Sequence, residues 1–138
     1  MNLLPLKISQ GWEVLKNHFY DVDHETNKNS DGELDYPFYE DVLVLRNRVW
    51  RITIDLSWLP DCSPEGRYKL ILLKWQDDKH ISPTPKNTIK KKIDNNTLMY
   101  KLHYPVFEDW DSPVKEFESR NRFEVQEKIN EYLATTQT

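Results

Sequence analysis

The chain has 138 residues with three glycines and one cysteine, a net charge of −4 and a mean hydropathy of −0.80. That length suits one domain built on one core. A single Cys excludes an internal disulfide framework or a multi-cysteine zinc site, the scarcity of Gly leaves no glycine-rich phosphate loop, and the acidic balance argues against nucleic acid as a partner of the surface as a whole. Five Trp, seven Tyr and five Phe set the chain apart from disordered sequences. No stretch approaches the roughly 20 apolar residues of a membrane helix. Met1–Lys7 lacks the basic and apolar regions of a signal peptide, and with the lone Cys62 the chain reads as cytoplasmic.

In chain order, Leu4, Leu6 and Ile8 alternate with Pro5 and Lys7 as an extended segment, and Ser9-Gln10-Gly11 supplies a turn. Trp12 and Val14 then share one face of a strand while Leu15 and Phe19 take the other, a parity switch that predicts a bulge or burial on both sides. Val42–Leu45 reads as a further antiparallel strand. The clearest periodicity is Trp50, Ile52, Ile54, Leu56 and Trp58 alternating with Arg51, Thr53, Asp55 and Ser57, which predicts a half-buried strand with one polar face. Turn formers around Pro64-Glu65-Gly66 lead into Tyr68–Trp75, apolar on both faces and suited to a central strand. Gln76–Asn96, broken by Pro83 and Pro85 and carrying Lys90-Lys91-Lys92, reads as a polar insertion, and Thr97–Leu102 as a short strand. Val125, Ile129, Tyr132 and Leu133 form the single stripe of a C-terminal helix. Asn121 stands at its N-cap, and Glu124 is placed to pair with Lys128. The expected fold is α+β: a small antiparallel sheet packed against a C-terminal helix, in one domain over residues 1–138.

Chemical motifs are sparse. Asn27-Lys28-Asn29-Ser30-Asp31-Gly32 imitates the start of a calcium loop, but Phe38 stands where the bidentate carboxylate belongs, so a solvated turn is the better reading. His18, Asp21, Asp23 and His24 are close in sequence, yet on a strand the histidines and the aspartates face opposite ways. Cys62 and Ser63 lack a neighbouring base, with His103 the one histidine the fold could bring to them. No metal, cofactor or small-molecule substrate is expected.

The feature that stands out is charge. Asp21, Asp23, Glu25, Asp31, Glu33, Asp35, Glu40 and Asp41 are opposed only by Lys28, with Tyr20, Tyr36, Phe38 and Tyr39 interleaved. A second cluster is Glu108, Asp109 and Asp111 around Trp110. Such runs are usually solvated faces. The functional alternative is a docking surface in which carboxylates steer a basic partner and aromatics anchor it.

Gly11-Trp12-x-Val14-x-x-Asn17-x-Phe19, Asp55-Leu56-Ser57-Trp58-Leu59-Pro60 with Gly66-Arg67-Tyr68, and Trp110-Asp111-x-Pro113-Val114 running to Ser119-Arg120 resemble blocks of the small immunity proteins of bacterial polymorphic-toxin systems, especially those of contact-dependent growth inhibition. The resemblance implies a non-enzymatic inhibitor that binds the toxic C-terminal domain delivered by a neighbouring cell. Many such toxins are nucleases with basic grooves, which an acidic partner complements. The motifs transfer no contact residue, so the partner-binding set is electrostatic: Asp21, Asp23, Glu25, Asp31, Glu33, Asp35, Tyr36, Tyr39, Glu40, Asp41, Glu108, Asp109 and Asp111. A small carboxylate- or His-dependent enzyme and a generic adaptor domain are the alternative readings.

Overall fold

A computed structural model describes residues 1–76, 87–92, 98–103 and 106–135. A five-stranded antiparallel sheet runs in the order β1 (Trp12–Asn17), β2 (Leu43–Asn47), β3 (Ile52–Leu59), β4 (Arg67–Lys74) and β7 (Lys115–Ser119). Helix α1 (Arg122–Thr135) packs on it through β4 and β7. The expected fold class is the observed one. Strands β5 (Asn87–Lys92) and β6 (Leu98–His103) pair antiparallel as a separate two-stranded sheet. A strand therefore runs through part of the segment read as a polar insertion, the rest of which lies outside the described residues. None of the described helices is long and apolar enough to cross a membrane.

Local chemistry explains the elements. The N-terminal segment is extended: the Leu4 N–H donates to the Phe19 carbonyl (2.9 Å) and Leu4 is buried, with Leu6 and Ile8 packed beside it. Gly11 turns the chain with φ +101°, a region that favours glycine. The parity switch in β1 is a bulge, where the register with β2 shifts between Val14 and Lys16. Beyond the strand, Phe19 is fully buried, whereas Val14 and Leu15 are exposed.

β3 departs from expectation in two ways. Trp50 lies outside the strand in a tight turn, where Asn47 Oδ1 accepts from the N–H groups of Val49 (3.0 Å) and Trp50 (2.9 Å), and its side chain is 46 % exposed. The polar alternates Thr53, Asp55 and Ser57 are buried along with Ile52, Ile54, Leu56 and Trp58. The strand is central and covered on both faces, and alternation cannot reveal what covers a polar row. One face joins Leu43, Leu45, Ile54, Leu56, Trp58, Tyr68, Leu70 and Leu72 to the helix stripe Val125, Ile129, Tyr132 and Leu133. On the other face Trp75 Nε1 donates to Thr53 Oγ1 (2.8 Å), Thr53 Oγ1 donates to Glu108 Oε1 (3.0 Å), and Arg46 closes on the same carboxylate (2.8 Å).

The helix begins as its sequence demands. Asn121 Oδ1 accepts from the N–H groups of Phe123 (2.9 Å) and Glu124 (3.2 Å), satisfying two donors that the helix leaves free. Glu124 accepts from Ser119 Oγ (2.7 Å), which in turn accepts from the Asn121 N–H (3.0 Å), so the carboxylate closes the cap through a hydroxyl. The expected Glu124–Lys128 pair gives way to this arrangement, and Lys128 pairs with Glu131 (3.1 Å) over the Phe117 ring.

Ile54 is fully buried between Leu45 and Leu72. Ile54→Ala is expected to cost about 2–5 kcal/mol in a denaturant titration, whereas Trp50→Ala changes stability by less than about 0.5 kcal/mol, as exposed positions do. Equal losses at the two positions would contradict the placement of Trp50 in the turn.

Candidate partner-binding surface

The acidic run divides into two parts. In the first, Asp21 and Asp23 face Arg122 at the helix start (2.8 and 3.7 Å), and Asp23 caps a short 3₁₀ turn (His24–Thr26) by accepting from the Glu25 N–H (2.9 Å). Asp23, Glu25 and Arg122 line a cleft of about 370 Å³ with His24, Tyr68 and Arg120. Its cations are engaged: Arg120 donates to the carbonyls of Gly66 (2.6 Å) and Pro64 (2.8 Å), while Arg122 holds the two aspartates. Burial, and then Arg120, lower the pKa of His24. Asp21 and Asp23 thus tie the 20s segment to the helix, and the His18–Asp21–Asp23–His24 set does not converge.

The second part is presented outward. The Leu34 N–H donates to the Cys62 carbonyl (2.8 Å), the Cys62 N–H to that of Phe38 (2.9 Å) and the Trp58 N–H to that of Tyr39 (2.8 Å), lacing the 34–39 segment to the end of β3 and the loop after it. Leu34 and Phe38 are buried by this lacing, and Asp35 and Tyr39 are left exposed. The Asp61, Glu33 and Asp35 carboxylates all act on the Cys62 thiol, which the lacing brings among them. Among the described residues Asp31, Glu33, Asp35, Glu40 and Asp61 form no ion pair.

A row of rings runs alongside. His18 stacks on Tyr20 (6.3 Å between centroids) and meets Tyr36 (5.5 Å), Tyr36 meets Tyr20 (5.7 Å), and Tyr39 follows at 6.2 Å. The Tyr36 hydroxyl donates to that of Tyr20 (3.1 Å), a bond that pushes the Tyr36 pKa up to about 12. Burial, and then Asp61, raise the Cys62 pKa, which keeps the thiol protonated and is the reverse of an activated nucleophile.

The calcium-like loop has its asparagine side chains turned on its own backbone. Asn29 Oδ1 accepts from the N–H groups of Asp31 (2.9 Å) and Glu33 (3.1 Å), and Asn27 Nδ2 donates to the carbonyl of Tyr36 (3.0 Å). Among the described residues, no group of three or more His, Cys, Asp or Glu side chains is placed to hold a metal ion. The side chain of His103 lies outside the described residues.

Of the second acidic cluster, Glu108 is turned inward on Arg46 and Thr53, Asp109 donates its N–H to the Lys74 carbonyl (2.8 Å), and Asp111 is exposed next to the exposed Trp110. Trp110 lines a cleft of about 230 Å³ with Glu40, Asp41, Asp55, Ser57, Leu59, Lys69 and Ile71. Burial, and then the Asp41 carboxyl, push the Asp55 pKa up to about 7. Asp55, Asp61 and Lys69 are the residues of these surfaces that sequence reasoning missed. That Asp61 and Asp35 act on one thiol rests on loop hydrogen bonds that no spacing rule encodes.

No family model, curated protein or solved structure matches the chain.

Because the Asp55 pKa is raised on folding, the fold favours its protonated form. That contribution is complete below the ordinary carboxyl value of 3.8 and is lost as pH rises through about 7. Thermal melts of the wild type and Asp55→Asn between about pH 5 and pH 8 should show the variant gaining on the wild type as pH rises. A stability difference constant over that interval would contradict the buried carboxyl.

Proposed function

We propose that this protein is an immunity protein: a non-enzymatic inhibitor that binds the toxin domain of a polymorphic-toxin system one to one in the cytoplasm and blocks it. The observation that carries the reading is the exposed set Glu33, Asp35 and Asp61, without ion-pair partners among the described residues and all acting on Cys62, with Asp35 and Asp61 also acting on Tyr39 at one end of the Tyr20–Tyr36–Tyr39 row. Carboxylates that pair with no cation within the fold are free to act on one outside it. Their field reaches about 8 Å at physiological ionic strength, enough to orient an approaching basic face. Tyr rings supply large contact area at low entropic cost, which makes them the anchors of such interfaces. The resemblance of the Trp12, Trp58 and Trp110 blocks to immunity proteins supports the same reading. A basic nuclease groove is the complement the charge calls for.

The reading requires a toxin domain encoded beside this gene, and that domain is titrated with the protein while toxin activity and association kinetics are followed. Inhibition should end at one equivalent. Glu33→Ala with Asp35→Ala and Asp61→Ala should slow association severalfold and flatten its salt dependence, and Tyr39→Ala should act on dissociation. Full inhibition with unchanged kinetics in both variants would place the interface elsewhere, and no inhibition by the wild type would refute the function.

A further inference from the structure

Asp55 lies in the middle of β3 with 6 % of its surface exposed, and it lines the cleft with Trp110. Ionisable carboxyls buried this deeply are normally paired with a cation, because desolvation penalises the lone charge. Among the described residues Asp55 has no such partner. Ser57 Oγ donates to it weakly, at 3.4 Å, and the Asp41 carboxyl lies against it. Lys69 lines the same cleft without forming an ion pair there.

Asp41 is itself held in position. Its backbone takes a left-handed conformation (φ 52°), and its N–H donates to Ser57 Oγ (2.9 Å). The remaining lining is Glu40, Lys69, Leu59, Ile71 and the exposed indole of Trp110. Three carboxyls against the single Lys69, beside hydrocarbon and an indole, complement a further cation carried on an aliphatic stem. The volume of about 230 Å³ falls below the range of small-molecule sites, roughly 300–1,000 Å³, and suits a single long side chain. Glu40 and Asp41 follow Tyr39, the last ring of the row, directly in the chain.

We propose that this cleft receives one lysine or arginine side chain of a basic protein partner, with Asp55 and Asp41 as counter-charges and Trp110 packed on the inserted chain. The proposal rests on the reading of the chain as an inhibitor of a basic toxin domain and gives that interface its anchoring pocket. An indole face attracts a cation, and a desolvated pocket at an interface concentrates binding energy in one residue. Binding is linked to pH, since the inserted cation competes with the proton on Asp55. The groups facing that carboxyl are Asp41 and Glu40 from the loop before β2, Ser57 on β3, Lys69 on β4 and Glu108 beyond β4.

The test needs no toxin, so its outcome is separate from that of the inhibition assay. N-acetyl-arginine amide and N-acetyl-lysine amide are titrated into isotope-labelled protein at constant ionic strength, with the neutral N-acetyl-citrulline amide as control. The side-chain carboxyl carbon of Asp55 and the indole N–H of Trp110 should shift saturably with a cationic probe and not with citrulline. Affinity should tighten about tenfold between pH 6 and pH 8, as a carboxyl titrating near 7 ionises. Asp55→Asn should weaken binding at least tenfold and abolish the pH dependence, and Asp41→Asn, which leaves Asp55 in place, should weaken it in the same direction. Equal shifts with citrulline, or undiminished binding by both folded variants, would overturn the proposal, as would the absence of any cleft shift at tens of millimolar probe.

Discussion

Trp58 is the residue on which the presented surface depends. It is fully buried at the end of β3, with Phe38 and Tyr68 edge-on at 5.0 Å each and His24 at 5.2 Å. Its backbone N–H holds the Tyr39 carbonyl and its indole N–H donates to the Ser63 carbonyl (2.9 Å). Arg120, just before the helix, lies over its ring while its guanidinium ties down Gly66 and Pro64. Gly66 is Gly because a Cβ there would stand 2.6 Å from Trp58 Nε1 and 2.8 Å from the Leu59 carbonyl oxygen. One side chain thus fixes two loops, the 3₁₀ turn and the approach to the helix.

That anchoring gives the acidic surface its character. Long side chains on free loops lose entropy when a partner orders them, which subtracts from affinity. Here the 34–41 segment is pinned at both ends of its contact with β3, by Leu34 to Cys62 and by the Asp41 N–H to Ser57. Glu33, Asp35, Asp61, Tyr36 and Tyr39 are displayed on a backbone that is already ordered. The division of the acidic run follows the same logic. Asp21 and Asp23 have Arg122 within reach and serve the fold, whereas Asp31, Glu33 and Asp35 of the same run form no ion pair among the described residues.

How far the sequence could be read varies element by element. The β3–β4 hairpin and the α1 stripe were legible because each repeats one period over many residues, and Asn121 because capping is local chemistry. β7 was not, since Lys115–Ser119 carries only Phe117 as an inward apolar residue, and an edge strand of charges looks like a loop. Thr53, Asp55 and Ser57 looked like a solvated face because alternation separates polar from apolar without saying which side is covered. At the site, the acidic run with its tyrosines was legible as composition. That Glu108 turns inward to Arg46, and that Asp61, Glu33 and Asp35 act on one thiol, depends on contacts between segments distant in the chain.

The central claim is that the loops fixed by Trp58 form the surface a partner grips. Hydrogen exchange of the protein, alone and saturated with the toxin domain that the proposed function calls for, tests it most directly. The account predicts added protection at residues 33–41 and 59–62 and no change along β1. Protection concentrated on β1 or the exposed side of α1, with the 33–41 segment unchanged, would contradict it.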